Sequence, residues 1–230
     1  MMKMQVPAKS APQLINGKYI DVSGLVHLKL HDNQWTRLPT PPNTDSKRRE
    51  LHRPCTTATL NMAATAAQSA RLWKRYDPAY SEKCLAAART AYAAAKANPT
   101  IYASGGDWDL GGGAYSDDDA TDEFFWAAAN LYITTKEDQY KHDVMNSSYY
   151  LAATSTIFPQ GGFSWASTAS LGALSLAVVP NGIPHRQKII QSVIDGAEQY
   201  MHVQAGQPTG VMMTTYPWGS NSTYQLSYCS

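Results

Sequence analysis

Apolar residues recur at helical spacing through most of the chain beyond residue 56. From Thr57 to Tyr76, Leu60, Ala63, Ala64, Ala67, Ala70 and Trp73 follow a 3.6-residue period. This predicts a helix that ends at Asp77-Pro78. Proline suits the first turn of the helix that follows. Ala79 to Ala97 then carries Leu85, Ala88, Tyr92 and Ala95 on one face and stops at Asn98-Pro99. Further helices are predicted from Asp122 to Thr134, Glu137 to Asn146, Trp165 to Ala177 and His185 to Gln204. The last is amphipathic through Ile189, Ile190, Val193, Ile194, Ala197 and Met201. Residues 1–56 follow another pattern. Leu25 to Leu30 alternates apolar residues with His27 and Lys29, the two-residue period of a half-buried strand. Pro39, Pro41, Pro42 and Asn43 then exclude regular structure, and the rest of the segment reads as irregular with short extended pieces. Residues 57–204 are thus helical hairpins and 205–230 a loop and terminus.

Two helical pairs echo each other. Leu72-Trp73, a short polar turn and Tyr80 match Leu131-Tyr132, a short polar turn and Tyr140. Short connections make neighbouring helices antiparallel, and alanine lets their axes approach closely. Such hairpins stack as a solenoid or close as an α/α toroid, and periodicity leaves both open.

Composition narrows the function. The chain has 230 residues, enough for one large domain. Lys and Arg number 19 against 18 Asp and Glu, a net charge of +1, so no basic excess draws nucleic acid. No apolar run approaches the ~20 residues that cross a bilayer. Met1 to Pro7 lacks the charged and apolar regions of a signal peptide. Cys55, Cys84 and Cys229 are an odd number without paired spacing, which indicates neither a disulfide framework nor a zinc site. Only 16% of residues are charged, whereas Tyr (14) and Trp (6) are plentiful. A neutral, aromatic-rich surface suits neutral polyols, whose apolar faces stack on rings. For any single tyrosine, packing in the core is the alternative.

The densest chemistry lies in one stretch. Gly111-Gly112-Gly113 gives a loop with close backbone access. Asp117, Asp118, Asp119, Asp122 and Glu123 follow, and an apolar helix begins at once. Like charges at this density need positive compensation. A helix N-terminus supplies it if Asp119 or Thr121 caps and Asp122 and Glu123 fill the first turn. A hard cation such as calcium supplies it through oxygen ligands. The spacing is not that of an EF-hand.

Tyr115-Ser116-Asp117 and Asp122-Glu123-Phe124-Phe125-Trp126-Ala127-Ala128-Ala129-Asn130-Leu131-Tyr132 resemble a segment of glycoside hydrolase family 9, the inverting cellulases. Met4-Gln5-Val6-Pro7, Gly24 to Thr36 and Tyr216 to Ser222 resemble the family as well, so the likeness spans about residues 1–222. It implies an all-α fold, part of an (α/α)6 toroid, of which the predicted helices make roughly half. It implies that Asp122 and Glu123, with Ser116 and Asp119, hold a structural Ca2+. It implies that Tyr115, Trp165 and Trp218 offer ring faces to a β-1,4-glucan, with His31 and Trp35 at neighbouring subsites. Residues 1–230 then read as a partial catalytic domain of an extracellular endo-β-1,4-glucanase.

An inverting glycosidase needs one carboxyl group as acid and another as base. In the family the base lies in an Asp-Ala-Gly-Asp motif and the acid in an Asn-Glu context, and neither occurs here. Asp122 with Glu123 and Asp107 with Asp109 are pairs by sequence only, since adjacent helical residues do not face each other. Ala166 stands where relatives place a further calcium-binding aspartate. Tyr224 to Ser230 reads as a terminus foreign to the family. The expectation is a fragment that lacks the catalytic step and exposes apolar surface through which it associates. A non-catalytic glycan-binding homologue and an α-hairpin protein-interaction scaffold are the rival readings.

Overall fold

The computed structural model describes residues 2–103 and 111–208, with Gly210 and Met212. It contains two compact units, Met1–Ala120 and Thr121–Ser230.

The first unit joins short strands to one helical hairpin. β1 (Gln13–Ile15) pairs antiparallel with β2 (Lys18–Ile20). Their connection, Asn16-Gly17, has φ of +52° and +78°, the left-handed pair that a tight hairpin turn requires. β3 (Val26–His27) pairs with β6 (Pro54–Cys55), and β4 (Leu30–Asp32) with β5 (Arg49–Leu51). The single strand expected over Leu25 to Leu30 is therefore two short ones. Leu25 and Val26 are buried, but Leu30 is exposed, because β4 is the rim of an open cleft and not a wall of the core.

α1 (Thr56–Trp73) follows directly from β6. Cys55 offers no side-chain cap. Instead the Thr59 hydroxyl donates to the Cys55 carbonyl at 2.6 Å and accepts from the Val26 N–H at 2.9 Å, which ties helix to strand. α2 (Pro78–Ala97) begins as its Asp-Pro start predicts: Asp77 accepts from the Tyr80 N–H at 2.9 Å and Pro78 occupies the first turn. Ala63, Ala67 and Ala70 of α1 and Ala88, Ala91 and Ala95 of α2 are buried. Small side chains let the antiparallel axes approach so closely that the Ser81 hydroxyl of α2 reaches the Ala70 carbonyl of α1 at 2.6 Å. Val6, Ile15, Val22, Leu25, Ala94 and Ile101 form a core between the strands and this hairpin.

The second unit is helical. α3 (Thr121–Thr135) is buried from Asp122 to Ile133 except at Phe124, and pairs with α4 (Asp138–Met145). A short α5 (Thr154–Ile157), which the apolar spacing does not announce, precedes α6 (Ala169–Val178) and α7 (Arg186–Ala205). Gly172 of α6 lies against α3: a Cβ there would meet Phe125 Cδ1 at 2.7 Å and Trp126 Cα at 3.2 Å.

α1 ends at Trp73, three residues short of Tyr76, and two further helices differ from expectation. α6 starts four residues after Trp165, because Ser164 and Ser167 pair N–H to carbonyl in both directions at 3.2 Å and turn the chain before it coils. α7 buries only Ile189, Gly196 and Tyr200, whereas Ile194 and Met201, expected on its apolar face, are 45% and 63% exposed.

Candidate functional site

The glycine stretch lies flat on β4. A Cβ on Gly111 would stand 1.7 Å from the Asp32 carbonyl oxygen and 2.6 Å from the Gln34 nitrogen. One on Gly112 would stand 2.9 Å from His31 Cβ. At Gly111 the obstacle is main chain and cannot rotate away, so only glycine permits this approach. The chain then rises to Tyr115, whose φ of +47° is left-handed and turns its ring outward.

The result is an open cleft of about 470 Å3, lined by Lys29, His31, Trp35, Arg49, Gly112 and Tyr115 among others. Trp35 is 67% exposed and Tyr115 54%. Large rings held this far into solvent contribute little to the core and offer faces to a ligand. Trp35 is fixed by the loop behind it, where the Thr36 hydroxyl donates to Asp45 Oδ2 at 2.5 Å and the Lys47 N–H to Oδ1 at 2.9 Å. These bonds, the Thr36 hydroxyl first, hold the Asp45 carboxyl below the ordinary range. His31 bonds the Asp32 carbonyl through Nδ1 at 2.8 Å, so the ring proton is on Nδ1. Its Nε2 is shielded and meets no hydrogen-bond partner among the described residues, an acceptor that a bound hydroxyl or water would satisfy. Across the β4–β5 ladder Arg49 faces Asp32 at 3.5 Å, so these two charges cancel. The cleft is thus aromatic and hydroxyl-compatible, with Lys29 and Arg49 set against the single carboxylate of Asp32 on its lining.

The acid cluster divides between the units. In the first, Asp117 is buried and accepts from the Asp119 N–H at 3.2 Å, while Ser116 and Asp119 are exposed. In the second, Asp122 and Glu123 occupy the first turn of α3 at 5% and 0% exposure. Asp122 Oδ2 accepts from the Thr168 N–H at 2.6 Å and from its hydroxyl at 3.3 Å, pinning the start of α6. Trp165, also in this unit, sits half-buried in the Ser164–Ser167 turn. Trp218, Asp107, Asp109 and Tyr224 to Ser230 lie outside the described residues.

The structure brings His31, Trp35 and Tyr115 around one cleft. Lys29 and Arg49 line it too, and no motif in the sequence announced them. A second cavity, about 290 Å3 in the second unit, mixes apolar liners such as Phe125, Leu151 and Ile189 with Lys188, Ser192 and Asp195. Burial raises the Cys55 thiol pKa, so that sulfur is a packing group.

Comparison with known proteins gives the family and the fold class. The model of "Glycosyl hydrolase family 9" matches residues 1–228, and the chain belongs to that family. It is 45% identical over 226 residues to endoglucanase C of Cellulomonas fimi, covering 96% of this chain and 19% of that protein. It is 40% identical to a cellulose 1,4-beta-cellobiosidase of Acetivibrio thermocellus, covering 96% and 26%. In fold it matches the crystal structure of a metagenome-derived family 9 endoglucanase with a TM-score of 0.73 at 28% identity, covering 86% of this chain and 36% of that one. This bears out the all-α reading and the assignment of its hairpins to the (α/α)6 class. The chain spans about a fifth to a quarter of the curated relatives it matches. Among the described residues no helix is long and apolar enough to cross a membrane.

Proposed function

We propose that this chain supplies a sugar-binding wall of a family 9 endo-β-1,4-glucanase. In that reading His31, Trp35 and Tyr115 hold successive units of a β-1,4-glucan, and the intact enzyme works outside the cell, where its polymer substrate lies. The observation that carries the reading is the pair of exposed rings, Trp35 and Tyr115, that line one open cleft. Trp165 and Trp218 extend the ring series on the strength of the resemblance alone. The relatives' names, an endoglucanase and a cellobiosidase, point to the same substrate class. The two acid–base motifs are absent from the sequence, so the chain by itself binds glucan without cutting it. Titration with cellohexaose, followed by tryptophan fluorescence with chromatography of the mixture, tests this. Saturable binding without shorter sugars is expected. Absence of binding, or release of cellobiose, contradicts it.

The same reading places a calcium ion at Asp122 and Glu123. Two consecutive carboxylates inside the protein need more positive charge than the roughly half unit of a helix N-terminus. Carboxylate and hydroxyl oxygens are the donors calcium prefers. Among the described residues no group of three or more His, Cys, Asp or Glu side chains could hold a metal, so hydroxyl and main-chain oxygens would complete the shell. Ser116 and Asp119 enter that shell by resemblance only. Melting with and without a calcium chelator decides: a lower midpoint on chelation supports the ion, and superimposed curves leave helix capping as the role of both acids.

A further inference from the structure

Lys29 lies between β3 and β4, two residues before His31 and on the same side of the extended chain. Its ammonium donates to the Gly113 carbonyl at 2.5 Å and to the Gly112 carbonyl at 3.2 Å, 84 and 83 residues away in sequence. These are the carbonyls of the loop that climbs to Tyr115, and a loop without side chains has few other means of being held. Three glycines have the widest conformational freedom of any residues, so a segment rich in them costs most to fix. A charged donor shared by two adjacent carbonyls fixes two peptide planes at once, and charge-assisted bonds are the stronger kind. The stem of Lys29 is half-buried and borders the cleft.

We propose that Lys29 is a positioning residue for glucan binding. It clamps the Gly112 and Gly113 carbonyls onto β4 and thereby sets the Tyr115 ring at its angle to the cleft that Trp35 also lines. The inference rests on the reading of that cleft as a glucan subsite. Lys29 itself need not touch sugar.

The test is a double-mutant cycle read by cellohexaose titration, with hydrogen exchange of the loop as a second readout. Lys29→Met keeps the apolar stem and removes the donors. It should weaken cellohexaose about fivefold, and it should speed amide exchange across residues 111–116 while α1 stays as protected as before. Lys29→Arg should recover most of the affinity. In a Tyr115→Ala background Lys29→Met should add less than twofold, since the ring it positions is gone. Full additivity of the two substitutions would overturn the proposal, and so would unchanged exchange at 111–116. If Tyr115→Ala alone leaves cellohexaose affinity intact, the subsite reading fails. The exchange measurement then still decides whether Lys29 clamps the loop.

Discussion

The stretch from Gly111 to Trp126 holds two regions that use backbone and side chain in opposite ways. At Gly111 to Tyr115 the backbone is pressed into a neighbour and the side chain is thrown outward, with Tyr115 54% exposed. At Asp122 to Trp126 the backbone is an ordinary helix and the side chains are taken inward, Glu123 to zero exposure. In the first region local structure depends on main-chain fit, because a missing Cβ decides where a ring stands. In the second it depends on compensating buried charge. Damage should accordingly show up in different measurements: ligand affinity for the loop, stability for the helix start.

The largest effect is expected at the helix start. Asp122→Ala removes the acceptor of the buried Thr168 N–H and hydroxyl. A charged acceptor lost from a buried donor costs about 2–3 kcal/mol. Urea denaturation should show that loss, and calcium should no longer raise the melting midpoint. A stability within about 0.5 kcal/mol of wild type, the range of ordinary surface changes, would remove the contrast between the two regions.

The next effect belongs to the loop. Gly111→Ala sets a methyl group 1.7 Å from the Asp32 carbonyl oxygen, so the loop must lift from β4. Cellohexaose affinity should fall about tenfold, equivalent to about 1.4 kcal/mol, while the denaturation midpoint moves less than it does for Asp122→Ala. Gly112→Ala is the milder version, since it meets the His31 Cβ at 2.9 Å and not main chain. If Gly111→Ala unfolds the chain as readily as Asp122→Ala, loop and helix start form one cooperative element and the distinction between them is lost.

Much of this was legible before any coordinates. Asp77-Pro78 and Asn98-Pro99 bracket α2 because proline and the preceding residue have few backbone options. The glycine run and the acids of the first turn stand where the sequence put them. What was not legible depends on partners distant in the chain. The echo between Trp73 with Tyr80 and Tyr132 with Tyr140 is plain in the sequence, yet Trp73 is 47% exposed and Tyr132 only 4%. Tyr132 is shielded within its unit by the turn at Gly182, whose added Cβ would sit 3.5 Å from its hydroxyl. No local pattern reports such a cover. Lys29 was invisible for a related reason: its partners are carbonyls, which any sequence supplies. The Asn16-Gly17 turn is the opposite case, a hairpin signal whose flanks of three residues each were too short for the strands to stand out.

The smallest expected effect concerns the other exposed ring of the cleft, Trp35, and it tests whether ring presentation is a matter of loop geometry for both rings. Trp35 leads into a proline-rich loop with no regular structure from Thr36 to Thr40. The loop is closed by Asp45, which accepts from the Thr36 hydroxyl and the Lys47 N–H. Because those bonds hold the Asp45 carboxyl below the ordinary carboxylate range, they favour the ionised form. Their contribution is complete above that range and is lost as pH falls through the lowered value. Cellohexaose affinity should therefore be flat from about pH 5 to pH 8 as far as this group is concerned. Asp45→Asn keeps an acceptor and should change little, whereas Asp45→Ala should weaken binding about twofold, near the low end for one hydrogen bond. Asp45 is only half-buried, so water competes for these bonds and the effect stays below that of Gly111→Ala. An Asp45→Ala loss as large as the Gly111→Ala loss would mean that the Trp35 loop, and not the glycine loop, sets the geometry of the cleft.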